Sequence, residues 1–254
     1  MESVRLCTFN VRYDTPADDP YHWDARRSQF VETVQNIDPD VLCLQEALFS
    51  QLVDVETELP DFDWWGKGRE GGNEGEFAPI GWRSERFTHI DGFVKWLSPS
   101  PETPGSVGWD AKLPRIVTGA KLRAGSGELS VWNTHLSHIG DTARLESARL
   151  LVDWLSDEDD RTVLAGDFNC EPRSEPYRHV TTLLDDTRAV AGTTDGPVGT
   201  FTQFTGEAGP AIDHIFVTDD IAVEEFAVVS HGNADPPPSD HYPIVADLRL
   251  PPED

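Results

Sequence analysis

Asn10, Glu46, His135, Asp167, Asn169, Asp213, Asp240 and His241 share one placement: each sits at the end of an expected strand. Carboxylates, imidazoles and carboxamides are the side chains that ligate hard cations, move protons and meet phosphate oxygens. The stretch Arg161-Thr-Val-Leu-Ala-Gly-Asp-Phe-Asn169 shows the pattern most clearly. Val163, Leu164 and Ala165 read as a short buried strand that stops at Gly166, and Asp167 and Asn169 follow at once. Side chains two apart on an extended chain point the same way, so this pair faces one pocket. Taken singly, each residue has an ordinary structural explanation. Asn10 caps a turn, Glu46 lies on a surface, and His135 is a satisfied core histidine. Asp213-His214 marks a strand bend, and Asp240-His241 follows three prolines in a rigid loop. The recurrence is what points to chemistry, because apolar strands seldom end so regularly in metal ligands and proton-transfer groups.

The elements that must position these residues follow from hydrophobic periodicity. Residues 4–11 alternate as a strand ending at Asn10. A Pro/Asp loop spans 13–21, and Trp23, Phe30, Val34 and Ile37 recur at helical spacing, with Asp24 as the expected N-cap and Pro39 as the stop. Residues 41–46 form a second buried strand, so the chain opens as β-α-β, the unit that sets neighbouring strands parallel. A helix over 51–59 and a short strand over 62–65 come next. A Gly-rich polar loop over 67–75 has nothing to hold it in a core. Strand pairs are expected over 77–82 with 87–97, joined at 83–86, and over 115–122 with 128–135, turning at 124–127. Residues 98–113 are rich in Pro and Gly yet carry Trp109 and Asp110. The clearest helix covers 141–155, with Leu145, Ala148, Leu151, Val152 and Leu155 on one face, and the charge run 157–160 reads as a solvated loop. Strands over 200–204, 211–218, 222–229 and 243–250 complete the chain. No composition shift marks a boundary, so residues 1–254 are expected to form a single domain. The two β-rich halves, each with helices, predict a four-layer α/β/β/α sandwich of two mixed β-sheets.

Composition narrows the setting. The 254 residues carry 46 acidic against 20 basic side chains, a formal net charge of -26, and the only lysines are Lys67, Lys95, Lys112 and Lys121. Abundant Trp, Phe, Leu and Val in periodic runs argue for a packed core over disorder. The expectation is a halophilic protein with a solvated acidic surface, since the Debye length shrinks to roughly 3 Å at 1 M salt and carboxylate crowding then costs little. Such screening weakens the usual inference that acidity excludes polyanionic DNA, but no basic stripe favours nucleic acid either. Cys7, Cys43 and Cys170 show no CxxC or close pairing and read as small buried hydrophobes, in keeping with a reducing cytoplasm. No signal-peptide pattern or membrane-length apolar run is present, and a cytoplasmic monomer without membrane attachment is expected.

Thr8-Phe9-Asn10, Leu44-Gln45-Glu46, Asn133-Thr134-His135, Gly166-Asp167-Phe168-Asn169, Ile212-Asp213-His214 and Ser239-Asp240-His241 occur in that order across almost the whole chain. In this the sequence resembles the endonuclease/exonuclease/phosphatase superfamily, with its DNase I-like fold. The resemblance implies hydrolysis of a phosphate ester by in-line attack of water, assisted by Mg²⁺ or Mn²⁺. It implies Glu46 as the principal metal ligand, with Asn10 and Asp240 nearby and Asp167 and Asn169 offering a second position. Asp167, Asp213 and His241 become a proton-transfer set, His241 with Asp213 as its partner and Asp167 as the competing base, while Asn169 orients phosphate or water. His135 is implied to bond the scissile phosphate or help the leaving group, paired with a glutamate before a Phe-x-x-Ile strand. Glu76, before Phe77-Ala-Pro-Ile80, fits that place better than Glu74.

Substrate contacts are read from chemistry and from the same resemblance. Arg115, after Pro114, and Arg26 or Arg27 suit bidentate contact with a second phosphate or distal anion, surface salt bridges being the alternative for Arg26 and Arg27. Trp109-Asp110 resembles a substrate-side loop of one bacterial and archaeal branch. The sequence departs from that branch at Ser137, where aspartate is common, and at Gly81 and Gly119, where aromatics are frequent. The lead expectation is a metal-dependent phosphoesterase, with phosphodiester chemistry and a small phosphate ester or sugar or lipid phosphate as substrate. The alternatives are a DNA or RNA nuclease, for which Arg115, Lys112 and Trp109 supply few contacts, and a catalytically inactive binding module.

Overall fold

The computed structural model describes residues 2–125, 127–158, 160–232 and 234–251. In chain order the strands are β1 (Glu2–Asn10), β2 (Val41–Gln45), β3 (Phe62–Trp65), β4 (Ile80–Arg83), β5 (Thr88–Trp96), β6 (Ile116–Ala124), β7 (Gly127–His135), β8 (Thr162–Asp167), β9 (Asp185–Asp186), β10 (Thr193–Asp195), β11 (Asp213–Val217), β12 (Ala222–Val228) and β13 (Ile244–Leu250). The helices are α1 (Trp23–Ile37), α2 (Phe49–Glu58), α3 (Asp141–Ser156), α4 (Glu175–Val180) and α5 (Thr187–Val190). One sheet has the order β10-β12-β13-β1-β2-β4-β3 and the other β5-β6-β7-β8-β11-β9. Both are mixed: β1 runs parallel to β2 and antiparallel to β13, and β8 runs parallel to β7 and antiparallel to β11. Among the described residues, no helix is long and apolar enough to cross a membrane.

The alternation along each strand builds the four layers. In β1, Val4 and Leu6 enter the core between the sheets, where they meet Leu122, Val131, Val163 and Ile215 of the second sheet. Cys7 and Phe9 point the other way and pack under α1 and α2 with Phe30, Val34, Leu52 and Val55. On the outer face of the second sheet, Trp132, Leu164 and Phe216 pack with Leu151 and Leu155 of α3 and Val180 of α4. Three apolar layers therefore separate four layers of structure, which is the predicted sandwich.

Several local expectations differ from what forms. The pair expected over 77–97 is not a hairpin: β4 lies between β2 and β3 in the first sheet, whereas β5 is an edge of the second, so the link between them changes sheets. Periodicity reports that a strand is buried, not which sheet buries it. Residues 200–204 form no strand; Phe201 makes one bridge to His241, and Gln203 and Phe204 turn the chain with φ of 54° and 61°. Asp24 is not the N-cap of α1, since the helix starts at Trp23, whose N–H donates to Asp14 Oδ1 at 3.0 Å. Gly81 and Gly119 border no substrate wall: a Cβ on them would meet the rings of Trp64 and Phe93, neighbours in the adjoining strands. α4, α5, β9 and β10 give no periodic signal because each is six residues or fewer. Within the turn at 124–127 and the charge run at 157–160, Ser126 and Asp159 lie outside the described residues.

Candidate active site

Both sheets deliver side chains to one edge of the sandwich. β1 and β2 are parallel neighbours, so Asn10 at the end of one lies beside Glu46, just past the end of the other. In the second sheet, register sets His135 opposite Asp167 on one side and Asp213 opposite Asp167 on the other. Ser239-Asp240-His241 lies just before β13 and reaches the same edge. Glu46 and Asn169 adopt φ of 63° and 48°, left-handed turns that re-aim the chain as each strand ends. Gly166, with φ of 141°, has no alternative: a Cβ there would lie 2.0 Å from Thr134 O. Beneath the site two buried carboxamides join the sheets. Gln45 Nε2 donates to Asn133 Oδ1 at 2.7 Å, and Asn133 Nδ2 donates to Leu44 O at 2.7 Å and Pro79 O at 2.8 Å. The tripeptides that carried the sequence pattern thus hold their neighbours in place as well.

The acidic end of the cleft is tightly connected. Asn10 Nδ2 donates to Glu46 Oε1 at 3.1 Å and to Asp167 Oδ2 at 3.0 Å, while its Oδ1 accepts from Arg12 N at 2.9 Å. Asn10 therefore orients two carboxylates beside the expected metal position. His241 Nδ1 bonds Asp213 Oδ2 at 2.9 Å, which leaves Nε2 facing Asp167 Oδ2 at 3.8 Å. His135 Nε2 is 3.6 Å from Asp167 Oδ2 and 4.0 Å from Glu46 Oε1. Asn169 N donates to Asp167 Oδ1 at 2.9 Å, and its side chain donates to Leu136 O at 3.1 Å. Asp240 is steadied by Ser239 Oγ at 3.4 Å, and Ser239 Oγ also lies 2.6 Å from Asn10 O.

Burial and charge crowding set the protonation of this group. Burial raises Asp167, and the nearby charge of Asp213 adds to it, so its carboxyl is pushed up to about 7. Burial alone would depress His241, but the charge and hydrogen bond of Asp213, with Asp240 and Asp167 behind, carry it up to about 10. His135, equally buried and facing Arg115 and Arg69, is held well below the usual imidazole range. Burial also raises Asp240.

Hard oxygen donors crowded against one another suit a divalent cation. Ligand atoms of Glu46, His135 and Asp167 lie within 4.8 Å of one another, as do those of Asp167, Asp213 and His241. Burial first, and then the charge of Asp213, push Asp167 up, and a bound cation would counter both.

The other end of the cleft is basic. Arg69 Nη1 donates to Glu76 Oε2 at 2.7 Å, Arg115 Nη1 is 4.0 Å from the same oxygen, and Arg115 Nη2 lies 2.8 Å from His138 Nδ1. Glu76 is thus bonded to Arg69, whereas the sequence pointed to His135 as its partner. Arg69, Arg12, Tyr13 and His138 also line the cleft without having been singled out in the sequence. Arg69 sits in the Gly-rich loop that looked unanchored, yet Trp96 Nε1 donates to its carbonyl at 2.6 Å and pins the loop to β5. Arg12 follows the Asn10 strand directly, and that position was its available signal.

The remaining expected substrate contacts lie elsewhere. Trp109 and Asp110 are not among the residues lining the cleft. Asp110 Oδ1 accepts from Ala143 N at 2.7 Å and so caps the start of α3. Arg26 is fully buried and donates to the carbonyls of Val11, Arg12, Tyr21 and Pro238. Arg27 pairs with Asp54 at 3.0 Å. Ser137 holds a turn, its Oγ accepting from Gly140 N at 3.1 Å.

Known proteins share this framework. A family model described as Endonuclease/Exonuclease/phosphatase family matches residues 7–241. The crystal structure of an endonuclease/exonuclease/phosphatase from Bacteroides vulgatus aligns with a TM-score of 0.94 and 32% identity, over 99% of this chain and 100% of that one. A mannosyl-6-phosphatase from Bacteroides thetaiotaomicron aligns with a TM-score of 0.92 and 29% identity, over 97% of this chain and 100% of its own. An uncharacterized protein of Acanthamoeba polyphaga mimivirus is 25% identical over 184 residues, which are 67% of this chain and 68% of that protein.

Proposed function

Because the chain belongs to the endonuclease/exonuclease/phosphatase family, we propose that it is a divalent-metal-dependent hydrolase of small phosphate esters, a sugar phosphate foremost. The observation that carries this reading is the two-ended cleft. It has a volume of about 460 Å³, with Glu46, Asp167, Asp240 and His241 at one end and Arg69 and Arg115 at the other. That volume suits a compact ligand. A mannosyl-6-phosphatase among the similar structures supports the sugar phosphate.

A Mg²⁺ or Mn²⁺ ion held by Glu46, with Asp240 and Asp167 beside it, would supply Lewis-acid neutralisation of the phosphoryl oxygens. The chain's own groups do the rest. Asp213 commits Nδ1 of His241, fixing the ring so that Nε2 meets the phosphate and Asp167. Asp167 accepts from Asn169 N through Oδ1 and from Asn10 Nδ2 through Oδ2; Oδ2 also faces His241 Nε2 at 3.8 Å, and its second lone pair is the position to receive a proton from an attacking water. His135, kept neutral, contacts the phosphate or the leaving oxygen as a hydrogen-bonding group. Asn10 holds Glu46 and Asp167 in register for these roles.

The test is a panel in high KCl with Mg²⁺ or Mn²⁺, with and without EDTA: hexose 6-phosphates, glycerol phosphate, p-nitrophenyl phosphate, bis-p-nitrophenyl phosphate and abasic DNA. A hexose phosphate should be hydrolysed with the highest kcat/KM, and EDTA should abolish turnover. Preference for abasic DNA would move the reading to a nuclease, and preference for the diester would restore phosphodiester chemistry. A folded protein that hydrolyses none of them is a binding module.

A further inference from the structure

We propose that Glu76, Arg69, Arg115 and His138 form a specificity site for the hydroxyl groups of the sugar that carries the scissile phosphate. This rests on the sugar-phosphate reading above and assigns the part of the cleft that the phosphate chemistry leaves unused. The four side chains line the cleft at the end away from Asp240 and His241. They are held nearly rigid: side-chain exposure is 11% for Arg69, 13% for Glu76 and 5% for Arg115.

Their pairing decides what they can bind. Both arginines converge on one oxygen of Glu76, Oε2, at 2.7 and 4.0 Å. Among the described residues nothing donates to the other oxygen, Oε1. Arg69 Nε is buried and lies 3.9 Å from Glu70 Oε1, so the nitrogens that Arg69 offers to the cleft are those at the end of its guanidinium. His138 accepts from Arg115 through Nδ1, so its proton sits on Nε2 and that atom is a donor. The cluster thus offers an acceptor, Glu76 Oε1, set among donors from two guanidiniums and one imidazole.

Such an alternation matches hydroxyls, each of which donates one hydrogen bond and accepts others. It does not match a second phosphate, which would bring its charge against Glu76. Discrimination should be strong, because a buried polar group left unpaired by a substrate lacking its hydroxyl costs more than a missing apolar contact. Glu76 is accordingly a binding residue whose loss reads mainly in KM, in contrast to a partner of His135, whose loss would read in kcat.

The experiment crosses ligand and protein changes. Wild type and Glu76→Gln are assayed on hexose 6-phosphate, its 2-, 3- and 4-deoxy analogues, hexose 1,6-bisphosphate and p-nitrophenyl phosphate. In wild type at least one deoxy analogue should lose about tenfold or more in kcat/KM, and in Glu76→Gln that penalty should shrink to about threefold or less. Glu76→Gln should raise KM for the parent sugar more than it lowers kcat. Arg115→Lys, which keeps the charge and loses the fork, should shrink the same penalty if Glu76→Gln proves unstable. Deoxy analogues matching the parent, a penalty unchanged by either variant, or equal kcat losses on every ester would each overturn the proposal. Preference for the bisphosphate would overturn it in favour of a second-anion site. Turnover of p-nitrophenyl phosphate without turnover of any sugar phosphate would remove this inference and leave a metal-dependent phosphoesterase. No turnover of any ester would remove both.

Discussion

Replacing Asp213 by asparagine should change how stability depends on pH, and the size of the change follows from the site. In the folded protein His241 keeps its proton up to about 10, against 6.5 for a free imidazole, and Asp213 at 2.9 Å is the main source of that rise. Between those values the unfolded chain has released the proton and the folded chain holds it. The unfolded state then binds fewer protons, so stability falls as pH rises, by about 1.4 kcal/mol per pH unit and roughly 5 kcal/mol over the window. The contribution is complete below pH 6.5 and gone above about 10. In Asp213→Asn the charge and the charge-assisted hydrogen bond, the two largest supports of the proton, are lost while burial remains, and only Asp240 and Asp167 still oppose burial. The variant should lose most of this decline. Urea unfolding at pH 7, 8, 9 and 10, in constant KCl with EDTA to keep cations off the pair, measures it directly. Groups outside the site titrate alike in both proteins and cancel, and Asp167, which Asp213 helps to push up to about 7, is largely ionised from pH 8 upward, where the slopes are compared. The wild-type slope should be steeper by about 1.4 kcal/mol per unit, and kcat at pH 7 should fall by about 10² to 10³ in the variant. Parallel stability profiles would refute the assignment of Asp213 as the group that holds His241 charged.

Glu46→Gln should reduce kcat at least about 10³-fold and abolish thermal stabilisation by Mn²⁺, which in wild type should reach about 2.7 kcal/mol at a hundred times Kd; equal Mn²⁺ shifts in both proteins would place the cation elsewhere. Arg26→Met should lower stability by about 3–5 kcal/mol in urea unfolding, because four carbonyls lose one shared donor; a change under about 1 kcal/mol would mean that water replaces it. Asp110→Ala should lower the melting temperature while keeping kcat/KM within about threefold, as suits a cap of α3. A tenfold loss of kcat/KM would put that carboxylate back at the substrate.

The catalytic end was legible because its residues obey a local rule: each stands at or beside one end of a buried strand, and these strand ends lie on one edge of the sandwich. Asn10, Glu46, His135, Asp167, Asp213 and His241 converge for that reason. The basic end was hidden because Arg69 rides on a Gly-rich loop whose anchor, the indole of Trp96, is 27 residues away. Asp110 and Asp24 misled in opposite ways. A carboxylate beside an exposed tryptophan looks like a substrate contact, yet Asp110 caps a helix 33 residues on. Asp24 looked like a cap, yet the first free N–H of α1 is met from the preceding loop by Asp14. Caps supplied across space leave no spacing to read. Residues 200–204 alternate like a strand, but Thr202 N donates to Asp240 O at 2.6 Å and draws the segment over the site instead.

The strand order also fixes when a newly made chain can work. β1 lies between β2 and β13, so during synthesis this strand waits for residues 244–250 before its second edge is covered. Asp240 and His241 arrive just ahead of that last strand, opposite an Asn10 and Glu46 made some two hundred residues earlier. Asp167 and Asp213 likewise stay without their histidine until then. A chain that stops before residues 240–250 would lack Asp240 and His241 and would carry an open β1 edge that a chaperone or a neighbouring chain can pair with.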